Sequence, residues 1–126
     1  MTKKEFALAQ IAPYFKDPRT CGLNETAPSC MYLTPDGRMC VAGKNMLDPS
    51  KWKSNAISIF GILEIYTQSE IFKPEVVDIL TTEEWNKLQQ IHDELAFNNN
   101  PVLLNEAINE LNLFTPNELN EYTKTI

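Results

Sequence analysis

Residues 30–43 have the sequence CMYLTPDGRMCVAG, which carries the clearest local structural pattern in the chain. The two apolar runs that flank Thr34-Pro35-Asp36-Gly37 are typical of two β-strands joined by a tight turn. Pro35 fixes the φ angle that the first turn position needs, and Gly37 can adopt the left-handed conformation that closes such a loop. We therefore predict a β-hairpin over about residues 30–42.

The register of this hairpin would place Tyr32 opposite Cys40 and Cys30 opposite Ala42, on one face of the ribbon. The other face would carry the apolar side chains of Met31, Leu33, Met39 and Val41. An isolated ribbon with two apolar faces is not stable in water, so we expect helices to cover at least one face.

Signals for helix starts recur outside this segment. Thr2 with Glu5, Thr81 with Glu84 and Thr115 with Glu118 each have the spacing of a capping box. They predict a first helix that Pro13 ends near residue 12, a helix over about 82–97 and a short helix through about Tyr122. The inward stripe of the helix over 82–97 would be Trp85, Leu88, Ile91, His92 and Leu95.

A short helix is predicted after Asp48-Pro49 by an N-cap and a first-turn proline, and another helix is predicted from Pro101, after the run Asn98-Asn99-Asn100 ends the one before it. Residues 16–29 are predicted to form a loop, and residues 56–66 fit either a strand or a buried helix, of which we choose the helix. The predicted fold class is α+β, predominantly helical, with one hairpin packed against four to six helices in a single domain over residues 1–126.

Length and composition restrict the class of protein. The 126 residues are 43% hydrophobic, enough for one buried core, and the longest apolar run, over residues 57–63, is too short to cross a membrane. The first residues lack the pattern of a secretory signal, and the three cysteines form an odd set with no CxxC pair. We expect a cytoplasmic protein with free thiols and no membrane partner.

Charge is unevenly distributed along the chain. Residues 1–53 carry eight Lys/Arg against five Asp/Glu, whereas residues 54–126 carry three against twelve. A net charge of −6 argues against nucleic acid as a partner. Ordinary solvated faces explain such a distribution, but it is also compatible with an acidic helical surface for a basic partner, and with an anion site near the basic residues Arg38, Lys44, Lys51 and Lys53.

His92 is the only histidine in the chain and therefore the candidate general base of a catalytic site. Cys30 or Cys40 could act as the nucleophile with His92 as base and Asp93 as orienting group. However, neighbours on a helix diverge by about 100°, so we expect Asp93 not to support the ring, whereas Gln89 and Leu88 lie on adjacent turns. The simpler alternative is a buried histidine whose ring donates a hydrogen bond to the hairpin backbone.

Two candidate sites follow from this geometry. Cys30, Cys40 and His92 could hold zinc with one further ligand, although the chain offers no second histidine and no CxxC spacing; the alternative is two small buried thiols. A small anionic ligand near the hairpin would contact Tyr32, Arg38, Lys44, Gln89 and His92.

The motif Cys30-x-Tyr32, Gly37-Arg38-x-Cys40-x-x-Gly43 and the later Leu88-Gln89-x-x-His92-Asp93 resembles that of small uncharacterised proteins of bacteriophages and prophages. The resemblance covers about residues 30–95, and the order Val41-Ala42 departs from the commoner Ala-Val of that family. It implies a phage origin and action in the cytoplasm of a bacterial host, without naming an activity.

We therefore predict a non-enzymatic phage-type accessory protein that binds a host protein or a small anionic ligand, with no cofactor. The alternative is a hydrolase or transferase that uses cysteine and histidine, with or without zinc. The sequence does not specify an oligomeric state.

Overall fold

The computed structural model describes residues 1–23, 31–52, 58–97 and 100–126. Within these ranges the chain forms seven α-helices: α1 (Lys3–Lys16), α2 (Val41–Lys44), α3 (Ile59–Ile65), α4 (Gln68–Ile71), α5 (Thr82–Phe97), α6 (Pro101–Leu111) and α7 (Pro116–Thr123). Short 3₁₀ turns occur at Pro18–Thr20, Pro49–Lys51 and Pro74–Val76. The described residues form no β-sheet, and an isolated antiparallel bridge joins Met46 to Phe72.

The predicted α+β class and the hairpin over 30–42 are therefore wrong. The tight turn itself is present, because the N–H of Thr34 donates to the Arg38 carbonyl and Gly37 has a φ of +89°. The flanking residues do not pair as strands: the N–H of Arg38 donates to the Thr34 hydroxyl, and the N–H of Met31 donates to the Gly22 carbonyl. These bonds replace the ladder that a hairpin requires.

The second predicted strand turns into a helix at Cys40. The Cys40 thiol accepts the N–H of Gly43 and forms the N-cap of α2, so Val41 and Ala42 are helical and buried. Gly43 lies so close to the Tyr32 backbone that a Cβ atom there would overlap the carbonyl of Tyr32. No ribbon with two apolar faces forms in residues 31–42, and Cys30 lies outside the described residues.

Helix α1 passes through Pro13 and ends at Lys16, which corrects the predicted end near residue 12. Proline removes one backbone hydrogen bond and favours a kink, but tertiary contacts hold the last turn in place. Tyr14, in that turn, is buried, and its hydroxyl donates to the Met39 carbonyl at 2.6 Å.

Two of the three predicted capping boxes, Thr81 with Glu84 and Thr115 with Glu118, are confirmed, and α5 has the predicted bounds and buried stripe. At the start of α1 the Thr2 hydroxyl accepts the N–H of Glu5, which is one of the two bonds of the third predicted box. The helix chosen over 56–66 is present as α3, although residues 53–57 lie outside the described ranges. Asp48 caps the 3₁₀ turn that leads to Trp52, and the predicted loop over 16–29 contains one 3₁₀ turn in its described part.

Helix α5 lies at the centre of the fold and packs against α1, α2, α3 and α6, while α1 also packs against α7. Its Trp85 stacks on Phe72 with ring centroids 4.3 Å apart and meets Phe6 edge to face at 5.8 Å. The buried apolar side chains of the described residues form a single cluster around these rings. None of the described helices combines the length and apolar character needed to cross a bilayer.

Candidate functional site

The polar residues of α5 divide between two faces of the helix. Gln89 and His92 point into the protein, with exposed fractions of 7% and 0%, while Gln90 and Glu94 lie nearer to the solvent. Asp93 lies between them, with 35% of its side chain exposed. The helix therefore carries a buried polar cluster on one side and an acidic surface on the other.

Both ring nitrogens of His92 have partners. Nε2 accepts the backbone N–H of Gly22 at 3.1 Å, so the proton of the neutral ring is on Nδ1 and is donated to Asp93 Oδ1 at 2.9 Å. The expectation that Asp93 would not support the ring is thus wrong, because its Oδ1 accepts the hydrogen bond of Nδ1. The predicted proximity of Gln89 is confirmed, with its Nε2 3.3 Å from Nδ1 of His92.

Gln89 completes the cluster by joining two segments. Its amide nitrogen donates to Asp93 Oδ1 at 3.0 Å, and its Oε1 accepts the N–H of Ala42 in α2 at 3.2 Å. His92 and Gln89 thereby satisfy backbone donors of Gly22 and Ala42 that would otherwise be buried without an acceptor. The imidazole therefore anchors neighbouring backbone as an acceptor, and not as the donor to a hairpin that was expected from the sequence.

The two described thiols are buried and have structural contacts. Cys40 caps α2, and the Cys21 sulfur lies 4.0 Å from the His92 carbonyl oxygen. Burial, together with the negative charge of Asp93, raises the pKa of the Cys21 thiol to about 12. At neutral pH this thiol is protonated and therefore a poor nucleophile.

The structure brings Cys40 and His92 into the same buried region around α5 but does not arrange them as a metal site. The described residues include no group of three or more His, Cys, Asp or Glu side chains placed to hold a metal ion. The nitrogens of His92 are both occupied by hydrogen bonds. Since Cys30 lies outside the described residues, the zinc site of Cys30, Cys40 and His92 stays a prediction without support from these contacts.

The basic residues proposed for anion binding contact the protein itself. The Arg38 guanidinium donates to the carbonyls of Cys21 and Leu23, at 3.2 Å each, and pairs with Asp36. Lys44 Nζ donates to the Gln10 carbonyl at 2.9 Å and lies 4.6 Å from the centroid of the Tyr14 ring. Burial lowers the pKa of Lys44 to about 8.

The remaining members of the predicted anion site do not converge on an open space. Tyr32 is buried, with 6% of its surface exposed, and Gln89 and His92 are bonded within the cluster described above. Lys51 lies 5.3 Å from the Trp52 ring centroid, and Lys53 lies outside the described residues. The five residues proposed to bind a ligand therefore hold the segments around α5 together.

The other face of α5 borders an open groove. This α5–α6 groove has a volume of about 320 Å³ and is lined by Gln90, Asp93, Glu94, Leu103, Glu106, Ala107 and Glu110. Among the described residues that line it, four are acidic and none is basic. Lys87 pairs with Glu110 at 2.9 Å, while the first-turn lysines of α1 pair with Glu84 and Glu118 elsewhere.

The acidic charges of the groove come from a helical repeat on each side. Positions 90, 93, 94 and 97 share one face of α5, and positions 103, 106, 107 and 110 share one face of α6. The charge distribution along the sequence predicted an acidic helical surface but not its position. The signal that could have located it is this pair of i, i+3, i+4, i+7 patterns, read together across the short connection between the two helices.

Comparison of the chain with protein-family models, with curated proteins and with solved structures finds no match to any of them.

Proposed function

We propose that this protein is a non-enzymatic accessory protein of phage type that binds a basic protein of the bacterial host, in the host cytoplasm, through the acidic α5–α6 groove. The observation that carries the proposal is the groove itself, which is lined by Asp93 and Glu94 of α5 and by Glu106, Glu110 and the exposed Leu103 of α6. Such a surface attracts a positively charged partner and repels phosphate. The phage origin rests on the sequence resemblance alone.

The contacts around α5 favour binding over the catalytic alternative. A cysteine hydrolase needs a thiolate near a base with a nitrogen available for proton transfer. Instead, the Cys40 thiol is buried and accepts the N–H of Gly43 at the start of α2, and Nε2 of His92 accepts a backbone N–H. Metal analysis of the purified protein tests the alternative independently: zinc at one ion per chain would favour it.

The same contacts favour a protein partner over a small anion. Arg38 and Lys44, the cations nearest to the proposed anion site, donate to backbone carbonyls of the chain. An anion would have to compete with those carbonyls and enter a region that Tyr14 and Tyr32 already fill. The acidic groove, by contrast, is open to the solvent on the surface of two long helices.

The proposal is tested by affinity capture from bacterial lysate with charge-matched variants. In Glu94→Gln/Glu106→Gln two groove carboxylates are neutralised, and in Glu64→Gln/Glu83→Gln two exposed carboxylates outside the groove are neutralised. We expect a host protein that elutes with added salt to be retained by the wild type and the control, and to be lost from the groove variant. Equal retention by both variants, or no salt-sensitive partner at all, would contradict the proposal.

A further inference from the structure

The residues around Gly22 form a unit that is held together by its own hydrogen bonds. The Gly22 carbonyl accepts the N–H of Met31 at 2.9 Å, and the Arg38 guanidinium donates to the carbonyls of Cys21 and Leu23 at 3.2 Å each. These bonds tie residues 21–23 to residues 31–38, and neither stretch belongs to an α-helix. We call the two stretches the Gly22 unit and expect them to move together.

His92 joins the Gly22 unit to α5. The N–H of Gly22 donates to Nε2 of the ring at 3.1 Å, and the Cys21 sulfur lies 4.0 Å from the His92 carbonyl oxygen. Because a backbone N–H can only donate, Nε2 has to be unprotonated while this contact exists. A proton on Nε2 would place two N–H groups against each other. The ring is fully buried, so water cannot replace Gly22 as its neighbour unless the unit moves.

The charges packed around the ring act in both directions. Asp93 accepts the Nδ1–H at 2.9 Å and favours a positively charged ring, while Arg38 of the unit and Lys44 of α2 oppose it. Other titratable neighbours on the packed elements are the Cys21 and Cys40 thiols, the Tyr14 hydroxyl of α1, Glu106 and Glu110 of α6, which line the same groove as Asp93, and Glu64 of α3, which is exposed. Since Asp93 is on the same helix as His92, its charge still favours the imidazolium after Gly22 has moved away.

From the conflict between the N–H of Gly22 and a protonated Nε2, we propose that His92 is an acid-sensitive switch: when Nε2 takes up a proton, the Gly22 unit opens away from α5 and exposes the Cys21 thiol, while the helices stay folded. The step takes one proton from the solvent, breaks the hydrogen bond between Gly22 and His92, and changes no covalent bond of the backbone. Because the open state binds one more proton than the closed state, the equilibrium constant for opening rises as the pH falls, by up to about tenfold per pH unit. The switch does not depend on the proposed function of the α5–α6 groove.

The test measures the accessibility of Cys21 in Cys30→Ser/Cys40→Ser, where it is the remaining thiol. Serine at position 40 keeps an oxygen that caps α2. The rate of reaction with a pyridyl disulfide, which also reacts in acid, is divided by the rate for the urea-unfolded protein at the same pH. We expect this ratio to rise at least about tenfold between about pH 8 and about pH 5, the range in which histidine titrates, while the far-UV circular dichroism is unchanged.

Three further variants assign the effect to His92. In His92→Gln the amide oxygen replaces Nε2 as an acceptor but does not titrate, so we expect the ratio to stay at its value at alkaline pH. Asp93→Asn keeps an acceptor for Nδ1–H without its charge, and we expect the rise to shift to more acid pH. Glu64→Gln, which neutralises an exposed carboxylate on α3, is the matched control for Asp93→Asn and should leave the profile unchanged.

Nitrogen chemical shifts of the His92 ring provide a readout that needs no substitution of the histidine. We expect Nε2 to gain its proton over the same pH range in which Cys21 becomes reactive. A reaction ratio that does not change with pH, an equal rise in His92→Gln, or a ring that titrates without exposure of Cys21 would each overturn the inference. So would the loss of helical circular dichroism together with exposure of the thiol, because the whole chain would then be unfolding.

Discussion

The imidazole of His92 accepts a hydrogen bond from the backbone N–H of Gly22 and so joins α5 to the segment that follows the first helix. The ring also meets Tyr14 edge to face, with centroids 4.8 Å apart. His92→Phe keeps an aromatic ring but removes the acceptor and leaves the buried N–H of Gly22 unpaired. We expect urea unfolding to show a loss of about 1–3 kcal/mol in the free energy of unfolding.

Gln90→Ala, on the exposed side of the same helix, is the matched control. Because Gln90 lies near the solvent, we expect a change within about 0.5 kcal/mol. If His92→Phe were as stable as Gln90→Ala, the hydrogen bond to Gly22 would not be a structural anchor.

The fold requires glycine at positions 37 and 43 for different reasons, and alanine substitutions distinguish the two reasons. At Gly43 an alanine Cβ would overlap the Tyr32 carbonyl, so the backbone has to move, and we expect Gly43→Ala to cost about 3 kcal/mol or more. At Gly37 the surrounding space is open and only the φ of +89° is unfavourable, so Gly37→Ala should cost about 1–2 kcal/mol. Urea unfolding of both variants measures the difference.

Gly37→Asn and Gly37→Val refine the test of the turn. Asparagine tolerates the left-handed region, whereas a β-branched side chain resists it. We expect the asparagine variant to unfold nearer to the wild type than the valine variant. The same midpoint for both would show that the turn does not depend on the conformation of residue 37.

Cys21 should be chemically inert in the folded protein. Titration of Cys30→Ser with a thiol reagent at pH 8 should detect Cys21 and Cys40 only after denaturant is added, since both are buried. Rapid reaction of one thiol in the native protein would contradict this burial.

The raised pKa of the Cys21 thiol predicts that the folded protein becomes less stable at alkaline pH. An unfolded cysteine loses its proton near pH 9, but Cys21 in the folded protein has a pKa of about 12. Between these values the unfolded state binds fewer protons, so the free energy of unfolding should fall as the pH rises from about 9 to about 12. We expect the free energy of unfolding of Cys21→Ala, measured with denaturant, to fall less steeply than that of the wild type across this pH range.

For Lys44 we expect the free energy of unfolding to change with pH in the opposite direction. Burial lowers its pKa from 10.5 to about 8, so between these values the unfolded state binds more protons than the folded state. The free energy of unfolding should therefore rise with pH from about 8 to about 10.5. Because this window overlaps that of Cys21, we would compare Cys21→Ala with Cys21→Ala/Lys44→Met, and we expect the rise only where Lys44 is present.

The helix starts could be predicted from short sequence patterns because the hydrogen bonds that begin a helix join residues within one turn. The hydroxyl of Thr81 and the carboxylate of Glu84 satisfy backbone donors within one turn, which sets the start of α5 at Thr82 whatever surrounds it. Asn100 with Pro101 does the same for α6. These residues need no distant partner to act, so sequence spacing alone locates them.

The hairpin prediction was wrong because distant contacts decide the backbone path of residues 31–42. The strand propensity of the flanking runs is outweighed by Gly22, which accepts the N–H of Met31, and by Gln89, which accepts the N–H of Ala42. The same holds for the candidate site. Burial of His92 followed from helical periodicity, but its role as an acceptor depends on Gly22, which lies 70 positions away in the sequence.

The packing of α1 against α7 has a consequence for biosynthesis. The apolar face of α1 is translated more than a hundred residues before Leu119, one of the buried side chains that cover the core. Closing so long a loop carries a larger entropic penalty than joining helices that are neighbours in the sequence. Until Leu119 is available the nascent polypeptide exposes this apolar face, and chaperones that survey emerging chains would meet it there.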